Sequence, residues 1–131
     1  MIVVDASAVL ELLLRGPRAD DVGRLVLSRG DALAAPHLID LEVAQVLRRI
    51  ASRGLLTAAR ASQAFDDLGA MPISRYDHLP LLPRVWALRE NLTAYDAAYL
   101  ALAEAIGAPL VTCDAALGAA PGRTAEVIVV A

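Results

Sequence analysis

The sequence has no lysine: the 12 residues counted as Lys+Arg are all arginine. Catalysis through a lysine Schiff base and phosphate binding by a P-loop lysine are therefore excluded. Cysteine is almost as scarce. The single Cys113 cannot form an internal disulfide, and its strand-like neighbours Leu110-Val-Thr112 point to a buried structural thiol rather than a nucleophile. The two histidines, His37 beside Pro36 and His78 in a Tyr-Asp-His-Leu-Pro connection, have no cysteine or second histidine at metal-ligand spacing. Both read as structural or surface residues. Long apolar runs are missing as well. Hydrophobic residues make up 57% of the chain, yet uncharged stretches such as Ala105–Cys113 fall far short of the ~18 residues of a membrane span. The apolar excess belongs to a core or an interface. A basic leader is also lacking: Met1-Ile-Val-Val runs straight into Asp5, which does not fit a secretory signal and leads us to expect a cytoplasmic protein.

What is present reads as one unit. There is no internal repeat, low-complexity tract or linker, so a single domain over residues 1–131 is expected. Short β-rich segments at Ile2–Val4, Ala32–Ala35, Met71–Ile73, Leu110–Thr112 and Val127–Val130 read as strands. The intervals carry helical periodicity near Ala6–Leu14, Ala19–Ser28, Leu38–Arg53, Thr57–Leu68, Leu81–Leu92 and Ala94–Ile106. Gly54 and Gly107-Ala-Pro109 are natural helix stops. Alternation of this kind predicts an α/β protein, a three-layer α/β/α sandwich with a mainly parallel, roughly five-stranded sheet.

The acids stand out against that frame. Ligand sites in parallel sheets lie off the carboxyl ends of the strands. Asp5 directly follows the first strand and Asp114 comes two residues after Thr112, so both emerge at that rim, close together if their strands are neighbours. Glu42, at 100° per residue, falls in an arc with Leu38, Ile39, Val43, Val46, Leu47 and Ile50 and points inward. Asp96 lies between Tyr99 and Leu100 on a helix whose only other charge is Glu104, and is expected to be largely buried. An ionised carboxylate in such a setting needs a proton, a cation or a set of donors. Two charges ~4 Å apart repel by about 4 kcal/mol at an effective dielectric of 20. Convergence of four therefore calls for a divalent cation, and oxygen ligands favour magnesium or manganese, whose chemistry on a phosphodiester is the natural reading. Each acid alone also has an ordinary account: Asp5 as a helix cap, Asp114 as a turn residue, Asp96 as a capping partner of Thr93, and Glu42 as half of an ion pair with Arg89 or another arginine.

The net charge of −3 argues against a general nucleic-acid binder. Arg48, Arg49, Arg53 and Arg60 nevertheless cluster, as a basic ridge or as an ordinary solvated helix face. Trp86 with Leu81, Leu82 and Val85 suits a dimer patch or a core position equally. Tyr95 and Tyr99 are shaped for stacking on bases, but burial against the sheet is the expectation for both. Arg89 fits either neutralisation of Glu42 or a phosphate contact.

The strings Ile2-Val-Val-Asp5-Ala-Ser7, Pro36-His-Leu-Ile-Asp-Leu-Glu42-Val43, Leu92-Thr-Ala-Tyr-Asp96-Ala-Ala-Tyr99 and Leu110-Val-Thr-Cys-Asp114 together resemble the PIN-domain ribonucleases, in particular the VapC-type toxins. The resemblance covers nearly the whole chain, and its third and fourth strings are the most specific. It implies an endoribonuclease dependent on Mg2+ or Mn2+, held inactive by a cognate VapB-type antitoxin and usually dimeric. Residue by residue, it makes Asp5 and Asp96 the principal metal ligands, has Glu42 and Asp114 complete an acidic quartet, and puts Ser7 and Thr112 at hydroxyl positions beside the site. A receiver domain or a haloacid-dehalogenase-type phosphatase would need the missing lysine. Two alternatives stay open: a non-catalytic partner-binding domain of the same fold, and a nuclease acting on single-stranded DNA.

Overall fold

The computed structural model describes residues 1–30 and 32–131. Five strands form one sheet: β1 (Ile2–Val4), β2 (Leu33–Pro36), β3 (Ile73–Tyr76), β4 (Leu110–Thr112) and β5 (Val127–Val129). Their order is β3-β2-β1-β4-β5, and every pairing is parallel. Ile2, Val3 and Val4 are each 0% exposed, as expected of a central strand covered on both faces. Seven helices are present among the described residues: α1 (Ala6–Leu14), α2 (Ala19–Ser28), α3 (Ile39–Ser52), α4 (Ala58–Ala70), α5 (Leu82–Ala87), α6 (Ala94–Ile106) and α7 (Ala115–Gly118).

The crossovers set the layers. From β1 through β2 to β3 the chain steps one way along the sheet, and from β3 to β4 and β5 it steps the other way. Right-handed connections must then lay α1–α4 on one face and α5–α7 on the other. The packing agrees: α1 lies against α2, α3 and α4, whereas α6 lies against α5, β1 and β2. The three-layer α/β/α sandwich with a five-stranded parallel sheet follows. The strand order reverses between β1 and β4, and their carboxyl ends flank the crevice where α/β proteins bind ligands.

Three segments differ from the sequence expectation. β3 begins at Ile73 and runs to Tyr76 instead of covering Met71–Ile73. The Met71 amide is still bonded to Leu68 O at 3.2 Å, closing α4, and Pro72 has no amide to give a ladder. The strand continues through Ser74 and Arg75, whose guanidinium grips Asp40 at 2.7 and 2.8 Å, so an apolar pattern could not reveal it. The single helix expected over Leu81–Leu92 is instead a 3-10 turn, Leu79–Leu81, followed by the short α5. Pro80 and Pro83 start these two pieces, and Leu88 N–H splits between Arg84 O and Val85 O as α5 ends. The one-turn α7 had no periodicity to announce it. β2 and β5 each lie within one residue of expectation.

Helix α6 carries the site's densest apolar stretch, with Ala97–Ala103 buried throughout, and must stop before β4 can return under it. Gly107 does this at φ 66°, its N–H bonding back to α6. Replacing Gly107 by alanine should lower stability by about 1–2 kcal/mol, the cost of an L side chain in the left-handed region. Urea denaturation would show this as a lower midpoint with unchanged slope.

Candidate active site at the carboxyl edge of the sheet

Asp5 is the structural centre of the site. It follows β1, caps α1 and is only 5% exposed. Its Oδ1 accepts from Ser7 Oγ at 2.6 Å and from the Ala8 amide at 3.0 Å, and its Oδ2 accepts from the Thr112 hydroxyl. The two hydroxyls in turn accept from the exit of β4: Ser7 Oγ from Cys113 N–H and Thr112 Oγ1 from Asp114 N–H, both at 2.9 Å. Each hydroxyl has spent its one proton on Asp5 and uses its oxygen to fix the β4 turn. A carboxylate offers about four acceptor sites, so these three donors leave roughly one on Oδ2 for a further partner. The Ser7 and Thr112 side chains therefore orient Asp5 and bind β1 to β4 at once.

The parallel register brings Asp114 to the same rim, because Val4 pairs with Val111. Asp114 is exposed and caps α7, its Oδ1 accepting from Ala116 N–H at 3.0 Å. Asp96 sits in the first turn of α6, where Thr93 Oγ1 accepts its backbone N–H at 3.2 Å. It is half-buried, not largely buried, because the first turn of α6 stands at the rim while the apolar part begins at Ala97. Glu42, in the first turn of α3, is also half-buried, beside the buried Ile39 and Val43. All four acids thus lie at or near helix N-termini, where the aligned peptide dipoles favour negative charge.

Their charges act on one another. Burial raises the pKa of Asp5, its three donors oppose the rise, and the Asp114 charge adds to it. Asp96 is raised by burial and then by Asp114 and Asp5. Glu42 is raised by burial, and Asp96 and Asp5 add to that. Among the described residues no guanidinium lies within ion-pair distance of any of the four. The ion pair considered for Glu42 does not form: Arg89 lies 4.7 Å over the Trp86 ring and donates to Trp86 O. Glu42 Oε1 is instead sealed from solvent without a hydrogen bond of standard geometry, as is the Tyr99 hydroxyl. The two still sense each other. Burial first and Glu42 second push the Tyr99 phenol far above its ordinary value, and the phenol draws Glu42 back down.

No three of the described carboxylates, histidines and cysteines are drawn together into a ready-made metal cage. The donor set nevertheless suits a hard divalent cation. It consists of carboxylate oxygens alone, has an orphaned buried oxygen on Glu42, and repels itself at any pH where the acids ionise.

The remaining candidates fall elsewhere. Tyr99 is 1% exposed, as expected, but Tyr95 is 64% exposed and Trp86 68%, so neither is core. His37 and His78 are at the surface. Cys113 is half-buried rather than buried, and burial followed by the Asp5 and Glu11 charges raises its pKa, which keeps it an unreactive thiol. Sequence reasoning missed the approach of Tyr99 to Glu42. Its one available signal was the i, i+3 spacing of Asp96 and Tyr99 on a helix whose first turn meets the site. A groove of about 790 Å³ between α1 and α4, bordered by Leu13, Arg15, Arg60 and Met71, contains none of the four acids.

The PIN domain family model matches residues 2–122, and the chain belongs to that family. Among its relatives is a VapC ribonuclease of Mycobacterium bovis, 45% identical over 114 residues, which are 87% of this chain and 86% of the relative. Ribonuclease VapC12 of Mycobacterium tuberculosis is 37% identical over 131 residues, the full length of both proteins. Of solved structures, PAE2754 from Pyrobaculum aerophilum aligns with a TM-score of 0.71 at 29% identity, covering 96% of this chain and 87% of that one. VapBC2 from Rickettsia felis, solved bound to a DNA fragment from their promoter, aligns with a TM-score of 0.69 at 15% identity over 97% and 98% of the chains, a likeness of fold alone.

The pKa shifts fix a sign for stability. Asp5, Glu42 and Asp96 have folded pKa values above their ordinary 3.8, 4.5 and 3.8, so the folded state holds their protons more tightly than the unfolded chain does. The stability they contribute is complete below the ordinary values and is lost as pH rises through the raised ones. Glu104, lowered by Arg84 against the opposing effect of burial, acts oppositely, but its gain is complete once pH passes 4.5. Without divalent cations the melting temperature should fall as pH rises from mildly acidic to neutral. Asp96→Asn should flatten the fall and raise neutral-pH stability by on the order of 1 kcal/mol. Calorimetry in a chelating buffer checks both.

Proposed function

We propose that this protein is a metal-dependent endoribonuclease that hydrolyses RNA phosphodiester bonds and acts as the toxin of a toxin–antitoxin pair. The observation that carries the reading is the mutual repulsion of Asp5, Glu42, Asp96 and Asp114 at the β1/β4 crevice, with no arginine among the described residues within ion-pair distance of them. Asp5 and Asp96 would hold Mg2+ or Mn2+, with Glu42 and Asp114 completing the acidic wall. When bound, such an ion supplies an activated water and neutralises charge on the phosphate and on the leaving oxygen.

The chain's own part is positional. Ser7 and Thr112 lock the Asp5 carboxylate so that its remaining lone pair points where it is needed at no further entropic cost. The N-terminal turn of α6 carries Asp96 to where it feels the Asp5 charge, and the buried Tyr99 of the same helix draws the Glu42 pKa down. Water adds to phosphorus, the P–O bond to the departing ribose breaks, and the products are an alcohol and a phosphomonoester. RNA as the substrate is supported by the ribonuclease relatives, which cover 87% and 100% of this chain. The same relatives, named VapC, support a VapB-type antitoxin as partner. A homodimer and a cytoplasmic setting complete the reading. Among the described residues no helix is long and apolar enough to cross a membrane.

A random-sequence RNA pool and its DNA counterpart, incubated with Mn2+, test this directly. The wild-type chain should fragment the RNA and spare the DNA, and Asp96→Asn should lose at least about a hundredfold in rate while staying folded. Equal cutting of both pools would overturn the RNA assignment. Undiminished cutting by Asp96→Asn would overturn the site.

A further inference from the structure

The four acids repel the backbone of any RNA they are to cleave, so its grip must come from nearby groups. One groove meets the site directly. It has a volume of about 560 Å³, lies along α3 and the start of α6, and has Glu42 itself in its wall. Leu38 and Leu41 give it an apolar floor, Gln45 and Arg49 line it farther along α3, and Tyr95 closes its side. Arg49 lies seven residues beyond Glu42 on the same helix, about 10 Å away at 1.5 Å per residue. Among the described residues Arg49 is paired with no carboxylate.

Tyr95 is the informative residue. It adjoins Asp96 in the chain, shows 64% of its surface, and among the described residues has no cation over its ring, whereas Trp86 has Arg89 stacked on it. Tyr95 also lines a second, smaller cleft of about 220 Å³ with Ala94, Ala98 and Leu82, so it borders two neighbouring depressions, the second mostly apolar. An exposed aromatic face beside the reacting centre, an amide and an unpaired guanidinium are the groups that hold a single-stranded nucleotide: the ring stacks on a base and the guanidinium takes a phosphate.

We infer that the groove between α3 and the start of α6 is a nucleotide subsite, in which Tyr95 stacks on a base of single-stranded RNA next to the scissile phosphate and Arg49 binds a flanking phosphate. This rests on the nuclease reading above. It makes Tyr95 and Arg49 binding residues that touch RNA rather than metal ligands.

Binding of a fluorescein-labelled oligoadenylate by anisotropy, in the Asp96→Asn background so that no cleavage intervenes, tests the subsite separately from the chemistry. Adding Tyr95→Ala should weaken binding on the order of tenfold, and adding Tyr95→Phe should leave it within about twofold. Adding Arg49→Gln should weaken binding and reduce the slope of log Kd against log salt by about one. Unchanged affinity in Tyr95→Ala would overturn the inference, as would equal losses in Tyr95→Ala and Tyr95→Phe. A Tyr95→Ala chain that binds RNA normally but changes its sedimentation would overturn it in favour of an interface between copies. Absence of binding by the Asp96→Asn chain would also overturn it, while the cleavage comparison above still decides the nuclease reading on its own.

Discussion

A buried carboxylate between two strands organises this structure. Asp5 sits where β1 ends and is held by two hydroxyls and an amide. Those same hydroxyls accept the amides of Cys113 and Asp114, so the exits of β1 and β4 are tied through it. A buried charge tolerates few arrangements, and an unmade hydrogen bond there costs about 1–3 kcal/mol. The network thus specifies both the turn after β4 and the facing of the acid. The other three acids are drawn to the same edge for a topological reason: α3 and α7 begin where β2 and β4 end, and α6 begins at that edge before leading back into β4. The helix dipoles ease their charge but do not cancel it, and among the described residues no guanidinium completes the task. Such an arrangement is costly for folding and useful for holding a cation.

Much of this was legible in the chain. The apolar triplets that became β1 and β4 are buried on both faces, so their composition revealed them, and the acids after them could only emerge at the carboxyl rim. Glu42 was readable from its angular place beside Ile39, Val43 and Leu47. The failures have physical causes. β3 is polar because Arg75 pairs with Asp40 across to α3, a contact far apart in sequence. The helix expected near Trp86 broke at prolines whose effect depends on the docking of Leu81 and Val85. Asp96 is half-buried and not largely buried because angular position says nothing about depth along the helix axis, and burial in α6 begins only at Ala97. Tyr95 and Tyr99 look alike in sequence, yet four residues on a helix carry one to the rim and the other into the core.

The division of labour at the rim is then simple. Hydroxyls and helix starts aim the acids, the acids create a field that a divalent cation would relieve in the proposed function, and the neighbouring groove offers the aromatic and cationic surface that the acids cannot provide. Membership of the PIN domain family places this arrangement among proteins that include the VapC ribonucleases, and the geometry supplies a physical reason for each residue's place in it.

The most direct test of the acidic site as a cation site needs no substrate: the melting temperature of the wild-type and Asp96→Asn chains as a function of Mn2+ concentration at neutral pH. If the acids hold a divalent cation, the wild-type melting temperature rises along a saturable curve that Asp96→Asn lacks. A flat wild-type curve, or the same rise in both chains, would contradict it.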